Sequence, residues 1–477
     1  MLTNLTEKAN RTNCACGRAH AVDMGDIIIR PNALDDIGRI VQQVSPGRRV
    51  AMVCDTNTYR AAGERLELML EGTQVDLTTC VIRGEEPLIP NEKTLGTVLL
   101  AIEPGTQCLI AVGSGTINDI VRHVAYKMSI PFIAVGTAPS MDGYASSISS
   151  LVVDGVKTTV QGKLPTAIVG DTEVLSKAPE HMKAAGFGDL IGKVIARMDW
   201  RLAHMVNGEY ICEYTIGLVQ DALRRCIDAL QSSSPDASSS GGAQASRSGS
   251  QCESGSQCTS DSPYSDETVS AIMEGLVVSG LAIAMVGISR AASGAEHHIS
   301  HFLEMKALTG EAPAHLHGEK VSLGTYIMST MYHKVFSHDF AEIERLMAAP
   351  PRPQSPERRV ARLTEVYGRT APAMIQRWRS NLPGEARAKY IKEYLSANWE
   401  RLQQMVLHDI PKPAELTSLL DAAKSPYRFQ DMGYSRDLVE DAIVCSKEIS
   451  QKYSLLYILD EIGLLEHFAH ETVEDLA

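Results

Sequence analysis

The chain has 477 residues and a net charge of −13, and its hydrophobic and charged fractions, 44% and 22%, are ordinary for a soluble globular protein. This length favours two domains, and the negative charge argues against nucleic acid or an anionic membrane as a main partner. The sequence has no basic and apolar leader and no run of 18 apolar residues. We therefore expect a cytoplasmic protein without membrane insertion, whose ten cysteines are free thiols.

The first 22 residues are polar and are expected to be loose. Within them Cys14 and Cys16, with His20 nearby, suggest a metal knuckle, although their spacing does not match the common zinc patterns.

From residue 26 to about residue 180 the pattern alternates between strands and helices. Strands are predicted over residues 26–31, 48–55, 73–82, 107–113 and 130–136, helices over 32–44, 56–71, 91–103 and 115–128, and a β-hairpin with a last strand over 149–171. This alternation predicts an α/β domain with a Rossmann-like parallel sheet over residues 1–180. Such sheets bind ligands at the carboxyl ends of their strands.

Residues 181–477 are predicted to form an all-α domain. Its most apolar stretch, 274–290, contains three glycines and two serines and is expected to be a buried core helix. Residues 232–262 hold 13 serines in 31 positions and almost no apolar residues, which predicts a disordered insertion between two helices. A proline-rich loop is predicted over residues 348–359.

Two turns at predicted strand ends are candidates for binding a dinucleotide. Glycines let a backbone approach a pyrophosphate, and the helix after such a turn supplies free N–H groups. The first turn opens a helix with the sequence Gly113-Ser114-Gly115-Thr116-Ile117-Asn118-Asp119, and the second is Thr137-Ala138-Pro139-Ser140. The G-x-G-x-x-G fingerprint of dinucleotide-binding turns is incomplete here, because Asn118 stands where the third glycine would be. Asp55 ends an earlier strand, where an acid can accept from a ribose 2′-OH and favour NAD over NADP.

Five of the chain's 14 histidines lie within 21 positions, from His297 to His317. His297 and His301 are four residues apart and share one face of a predicted helix, while His298 points about 100° away from His297. A turn over residues 308–314 precedes His317, which is expected to open the next helix. Two helix ends side by side can bring imidazoles to one ion, so the cluster indicates metal binding or proton transfer.

Asp189 and Lys193 are four residues apart in a glycine-rich segment. On one interpretation Asp189 caps a helix and Lys193 is its ion-pair partner. On the other, Asp189 joins two histidines in a site for a catalytic divalent metal, where three protein ligands leave positions for substrate oxygens.

Five motifs, taken in order, resemble the sn-glycerol-1-phosphate dehydrogenases, and most closely the bacterial type: GSGTINDI, TAPSMDGYASS, GFGDLIGK, GAEHHISH and HLHGEKVSLGT. That family belongs to the superfamily of glycerol dehydrogenase, iron-type alcohol dehydrogenases and 3-dehydroquinate synthase. The resemblance covers residues 14–470 apart from the serine-rich insertion. It implies the dehydroquinate synthase-like arrangement of an α/β domain followed by an all-α domain. A dehydroquinate synthase is disfavoured, because MDGYASSISS replaces the segment that carries its substrate-binding lysine.

The resemblance also implies roles for individual residues. Asp189, His297 and His317 would bind one metal ion, Zn²⁺ or Ni²⁺. Asp142, Asp189 and His301 would be on the substrate side, and Asp189, His301 and Lys193 would serve catalysis. Ser146 would be on the nicotinamide side, and the remaining NAD(P)-binding residues would be Gly113, Gly115, Thr116, Ile117, Asn118, Asp119, Thr137, Ala138, Pro139 and Ser140, with Asp55 at the ribose. No role is assigned to His298 or His315.

The implied activity is the reversible, NAD(P)H-dependent reduction of dihydroxyacetone phosphate to sn-glycerol 1-phosphate in phospholipid biosynthesis, by a homodimer. Lys193 and His301 are expected to contact the substrate phosphate, and the proton of the new hydroxyl would come from a metal-bound water or a histidine. One alternative is a dehydrogenase of the same fold that acts on glycerol or another polyol. The other is a non-catalytic scaffold whose serine-rich loop is phosphorylated, against which the intact metal-ligand motifs weigh.

Overall fold

Eight strands form one parallel sheet and one separate hairpin in the first half of the chain. The computed structural model describes residues 5–45, 49–84, 87–233, 262–352 and 355–477. The strands in it are β1 (Ile27–Arg30), β2 (Arg49–Asp55), β3 (Asp76–Ile82), β4 (Cys108–Gly113), β5 (Phe132–Gly136), β6 (Ile148–Val153), β7 (Val156–Gln161) and β8 (Ala167–Asp171). The six-stranded sheet has the order β1-β8-β5-β4-β2-β3 and is parallel throughout, while β6 and β7 pair antiparallel.

Helices connect the strands and follow the last of them. Those of the first half are α1 (Leu5–Ala9), α2 (Ile37–Val44), α3 (Thr56–Thr58), α4 (Glu64–Glu71), α5 (Glu92–Ala101), α6 (Gly115–Met128) and α7 (Thr172–Ser176). Those that follow are α8 (Glu180–Ile191), α9 (Lys193–Asn207), α10 (Glu213–Ser232), α11 (Asp266–Val286), α12 (Ala295–Leu308), α13 (His317–Val335), α14 (Phe340–Ala348), α15 (Pro356–Tyr367), α16 (Ala371–Ser380), α17 (Glu385–Asp409), α18 (Pro413–Ala422), α19 (Arg436–Cys445), α20 (Leu455–Glu461) and α21 (Leu465–Leu476).

The strand order reverses between β2 and β4, which makes that gap the switch point of the sheet. From β2 the chain moves outward to β3, and from β4 it moves the opposite way to β5 and β8. Loops after the two strands therefore diverge and leave a crevice at their carboxyl ends, the usual ligand site of an open α/β sheet. Strands β4 and β5 are buried along their whole length, because helices cover both faces of the sheet.

The most apolar stretch of the sequence forms helix α11, as predicted. It is the one described helix with the length and composition to cross a membrane, but 78% of its most apolar window is buried inside the protein. It packs on α8 and α10 as a core helix.

The structure differs from the prediction at two places. The N-terminal segment is not loose from Leu5 onward: α1 buries Leu5 and Ala9, and His20 is 2% exposed. The proline-rich loop is shorter than predicted, because Ser355 caps helix α15 and Pro356 fits its first turn. Most of the predicted serine-rich insertion, residues 234–261, lies outside the described residues. The helices on either side meet where Ser233 Oγ lies 3.1 Å from Thr268 Oγ1.

Candidate metal and dinucleotide site

Three helices bring the predicted metal ligands to one point. Asp189 lies in the last turn of α8, His297 in the first turn of α12, and His317 is the first residue of α13. One ligand atom from each residue lies within 4.8 Å of the other two, and Asp189 Oδ1 is 3.5 Å from His297 Nε2. A carboxylate and two imidazoles at these separations fit a divalent metal with open coordination positions.

Close backbone contacts decide where these helices meet. A Cβ atom on Gly318 in α13 would lie 1.8 Å from the Ala185 carbonyl oxygen of α8. A Cβ atom on Gly324, also in α13, would lie 2.4 Å from the Glu296 carbonyl oxygen of α12. Only glycine fits where backbones touch in this way, so α13 can pack directly against both of the other ligand-bearing helices.

Two carboxylates orient the histidine ligands. His297 Nδ1 donates to Glu296 Oε1 at 2.7 Å, and His317 Nδ1 donates to Glu304 Oε1 at 2.9 Å. A proton held at Nδ1 leaves the lone pair of Nε2 free, which is the arrangement seen for histidines that bind metals. Sequence reasoning missed both glutamates. Glu304 could have been found, because it is three residues after His301 on the same helix face.

Lys193 is buried and neutralises two carboxylates, Asp189 of the candidate ligand set and the partly exposed Asp142 beside it. Its Nζ lies 2.7 Å from Asp189 Oδ1 and 2.8 Å from Asp142 Oδ2. Burial alone would raise the pKa of Asp189, but the positive charge of Lys193 holds it below its ordinary value. Burial lowers the pKa of Lys193, yet the charges of Asp142 and Asp189 raise it above the usual range. The i+4 ion pair predicted between Asp189 and Lys193 is therefore present.

His301 faces the same opening as the ligand set. Its ring centre is 6.1 Å from that of His297 and 5.8 Å from that of His317. Burial and then the positive charge of Lys157 lower the pKa of His301 well below its ordinary value, so the ring is neutral. Lys157 comes from the β6–β7 hairpin and forms an ion pair with Glu304 of α12. Sequence reasoning missed Lys157, because nothing local links β7 to α12.

The two histidines without an assigned role lie apart from the ligand set. His298 is buried, and neither of its ring nitrogens has a hydrogen-bond partner among the described protein atoms. His315 Nε2 is 2.9 Å from the Met432 carbonyl oxygen.

The predicted dinucleotide turns lie side by side at the switch point. Gly113 ends β4, Gly136 ends β5, and the Thr137 N–H donates to the Gly113 carbonyl oxygen at 3.3 Å. The Ser114 side chain makes no capping hydrogen bond to α6, and the first N–H groups of a helix have no partner within the helix, so they are available to a bound anion. The second turn leads on to Asp142, whose N–H donates to Asp189 Oδ2 at 2.8 Å. A short stretch of chain thus connects the crevice to the metal ligands.

The other predicted cofactor residues differ in what their side chains can offer. Asp55 ends β2 beside the crevice, and its Oδ1 accepts at 2.8 Å from the N–H groups of Asn57 and Thr58. Ile117 and Asn118 are buried, and the side-chain amide of Asn118 donates to the Ser114 carbonyl oxygen of the turn at 2.9 Å. Asp119 forms an ion pair with Arg122 at 2.6 Å, and burial, the largest effect, raises the pKa of its carboxyl. The hydroxyl of Ser146 donates to the Ile148 carbonyl oxygen at 3.0 Å.

Comparison with known proteins decides the family. Over 453 residues the chain is 31% identical to the glycerol-1-phosphate dehydrogenase (NAD(P)+) of Bacillus velezensis, a match that covers 94% of this chain and 95% of that protein. The chain belongs to the glycerol-1-phosphate dehydrogenase family. The glycerol-1-phosphate dehydrogenase (NAD(P)+) of Bacillus subtilis is 35% identical over 324 residues, a match that covers 67% of this chain and 74% of that protein. Residues 28–179 also match the family model described as iron-containing alcohol dehydrogenase.

Solved structures confirm the fold that the resemblance implied. The glycerol dehydrogenase of Schizosaccharomyces pombe superposes with a TM-score of 0.54 at 16% identity, covering 95% of this chain and 91% of that one. A probable glycerol dehydrogenase from Sinorhizobium meliloti gives the same TM-score and identity, with coverages of 94% and 98%. The predicted arrangement, a parallel α/β sheet followed by a large helical region, is therefore correct.

Proposed function

We propose that this member of the family reduces dihydroxyacetone phosphate to sn-glycerol 1-phosphate with NAD(P)H, in a reversible reaction. The observation that carries the proposal is the direct link between Asp142, at the end of the dinucleotide crevice, and Asp189 of the ligand set. A nicotinamide bound in the crevice would thereby lie next to a carbonyl held at the metal ligands. The names of the relatives support the choice of substrate, and the link between Asp142 and Asp189 supports the position proposed for each reactant.

Asp189, His297 and His317 would hold one divalent ion, Zn²⁺ or Ni²⁺. The ion supplies Lewis acidity, which polarises the C2 carbonyl of the substrate. The chain's own contribution is orientation: Glu296 and Glu304 fix the two imidazole rings, and Lys193 compensates the buried charge of Asp189 and Asp142. Lys193 is therefore proposed as a positioning residue for the two carboxylates.

The turns after β4 and β5 would hold the pyrophosphate of NAD(P)H, with Asp55 at the adenosine ribose. Bound there, the nicotinamide would supply a hydride to C2 of the substrate, and the role of the two turns would be to hold the ring against that carbon. His301 would relay the proton that completes the new hydroxyl, because a neutral imidazole can accept a proton at one nitrogen while releasing one at the other. Its place beside His317 supports this role.

The substrate phosphate requires a cation, and we propose Lys157 for that role, with the neutral ring of His301 as a hydrogen-bond donor beside it. Lys193 is itself buried and is paired with two carboxylates, whereas Lys157 is partly exposed and lies near His301. Lys157→Met is expected to raise the KM for dihydroxyacetone phosphate about tenfold or more, since it removes a charge-assisted bond. A loss confined to kcat would instead mean that Lys157 acts only through Glu304. Lys306→Met is the matched control, because Lys306 pairs with Glu311 at the surface of the same helix region.

The decisive experiment compares NADH oxidation with dihydroxyacetone phosphate and with dihydroxyacetone. A higher kcat/KM for the phosphorylated substrate, with sn-glycerol 1-phosphate as the product, supports the proposal. A preference for dihydroxyacetone or glycerol would replace it with a polyol dehydrogenase. Three further proposals have tests of their own. Size-exclusion chromatography with light scattering tests whether the protein is a homodimer, and limited proteolysis tests for a domain boundary near residue 180. Cell fractionation tests for a cytoplasmic location without membrane insertion.

A further inference from the structure

A second cluster of metal-ligand side chains lies outside the site described above. It consists of Cys14, Cys16, His20 and Cys212, whose ligand atoms all lie within 4.8 Å of one another. His20 and Cys212 are fully buried, and Cys14 and Cys16 are partly buried. No part of the proposed reaction uses these residues.

A tight turn brings the first two sulfur atoms together. The Gly17 N–H donates to the Cys14 carbonyl oxygen at 3.0 Å, and Gly17 has a φ of 80°, the left-handed region that favours glycine. Backbone hydrogen bonds in both directions between Arg11 and His20 close the loop around this turn. The segment is therefore ordered so that both cysteines and His20 face the same point.

The fourth side chain comes from the helical half. Cys212 precedes helix α10 and is 192 residues from His20 in sequence. Its Sγ lies 3.7 Å from Cys14 Sγ and 3.4 Å from His20 Nε2, and Cys16 Sγ also lies 3.4 Å from that nitrogen. A tetrahedral zinc ion, with Zn–S near 2.3 Å and Zn–N near 2.0 Å, requires S–S separations of about 3.8 Å and S–N separations of about 3.5 Å. The Cys14–Cys212 separation matches the first distance, and the separations of His20 from Cys16 and Cys212 match the second.

The surroundings of the cluster also suit a metal. His20 Nδ1 is 2.8 Å from the Met285 carbonyl oxygen. Because a carbonyl oxygen only accepts, Nδ1 carries the proton and Nε2 presents its lone pair to the sulfur atoms. The Tyr210 hydroxyl donates to Cys16 Sγ at 3.2 Å, a bond that stabilises a thiolate.

We propose that Cys14, Cys16, His20 and Cys212 bind a structural zinc ion. Three thiolates and one imidazole select zinc by ligand type, and four protein ligands leave no position for a substrate. The ion joins the N-terminal segment to the start of α10 and, through the Met285 contact of His20, to the end of α11. Its role is to hold the segment that precedes β1 against the helical half, and the reaction does not pass through it.

The test uses the full chain and reads the two sites separately. Elemental analysis of the His317→Ala variant, in which the catalytic ligand set is incomplete, is expected to find one zinc per chain. Adding Cys16→Ser to that variant removes this zinc. Adding Cys226→Ser, the matched control with a buried thiol in the middle of α10, leaves it in place. His317→Ala protein that holds no metal would overturn the proposal.

Cobalt substitution gives an independent readout, because only cysteine ligands produce a thiolate-to-cobalt charge-transfer band. Wild-type and His317→Ala proteins loaded with Co²⁺ are expected to show the band, and Cys16→Ser is expected to lose it while its melting temperature falls. If Cys16→Ser does not fold, titrating wild-type protein with a mercurial thiol reagent serves instead and should release one zinc as the cluster thiols react. No charge-transfer band, or thiol modification without zinc release, means that the cluster holds no metal.

Discussion

The two ligand clusters of this protein differ in number of ligands and in surroundings. The Asp189, His297 and His317 set offers three candidate ligands, is flanked by glutamates and lysines, and is linked through Asp142 to the predicted dinucleotide turns. The cysteine cluster supplies four ligands and is enclosed by a backbone carbonyl and a tyrosine. An incomplete ligand set with charged neighbours can take up substrate oxygens and tune their reactivity, whereas a complete set serves the fold. One chain thus presents both arrangements, and mutations in them should affect different properties.

The largest expected effect comes from His317→Ala. Loss of this ligand should lower kcat/KM by about a thousandfold or more, since Lewis-acid stabilisation contributes several kcal/mol. Metal analysis should show one ion per chain fewer, with only a small change in melting temperature. His315→Ala is the control two positions away, and its activity should stay near the wild-type value. Normal activity and full metal occupancy in His317→Ala would show that His317 is not a ligand.

Glu304→Gln tests the orienting carboxylate. The amide can no longer hold the His317 Nδ1 proton as a charged acceptor, so metal affinity or activity should fall about 10- to 100-fold. Chelator competition and steady-state kinetics measure the two quantities. Glu311→Gln, on the surface near the end of the same helix, should change neither. Equal losses in both variants would assign the effect to general surface charge.

Asp199→Asn tests a buried acid that lies close to Glu296, the carboxylate bonded to His297. Burial and then the charge of Glu296 raise the pKa of Asp199 to about 7, although Tyr332 and the Ala295 N–H donate to it. Between pH 4 and pH 7 the native protein therefore keeps a proton on Asp199 that the unfolded chain has released. The stability that this proton contributes is lost as the pH rises toward 7, by at most about 1.4 kcal/mol per pH unit.

The variant lacks this titration and one accepted hydrogen bond, so it should be less stable than wild type at pH 5. The difference in the free energy of unfolding between wild type and Asp199→Asn should become smaller toward pH 8. Urea unfolding of both proteins at several pH values measures the gap, and a constant gap would show that Asp199 is ionised throughout.

The smallest effect is expected at Asp55. The wild-type protein should use NADH better than NADPH, because the carboxylate disfavours a 2′-phosphate. Asp55→Asn should narrow that preference and keep the helix cap to Asn57 and Thr58. Asp55→Ala should narrow it equally and also cost about 1 kcal/mol of stability through the lost cap. Equal or better kcat/KM with NADPH in the wild-type protein would remove Asp55 from the ribose site.

Local patterns in the sequence determined the secondary structure and identified the Asp189, His297 and His317 set. Alternating apolar strands and periodic helices predicted the parallel sheet, because hydrophobic period follows directly from backbone geometry. For the same reason the four-residue spacing of His297 and His301 placed both on one face of a helix. Asp189 and Lys193 have the same spacing, but they lie at the end of α8 and the start of α9. Glu304 lies three residues after His301 on the same helix face and was within reach of the same reasoning.

Tertiary structure alone decided which distant side chains meet. The sequence offered Cys14, Cys16 and His20 without a fourth ligand, because Cys212 is brought to them by the packing of α10 against the N-terminal segment. Lys157 likewise reaches Glu304 from a hairpin 147 residues earlier in the chain. The backbone contacts at Gly318 and Gly324 set how the helices cross, and helix crossings depend on packing over the whole core rather than on any local period.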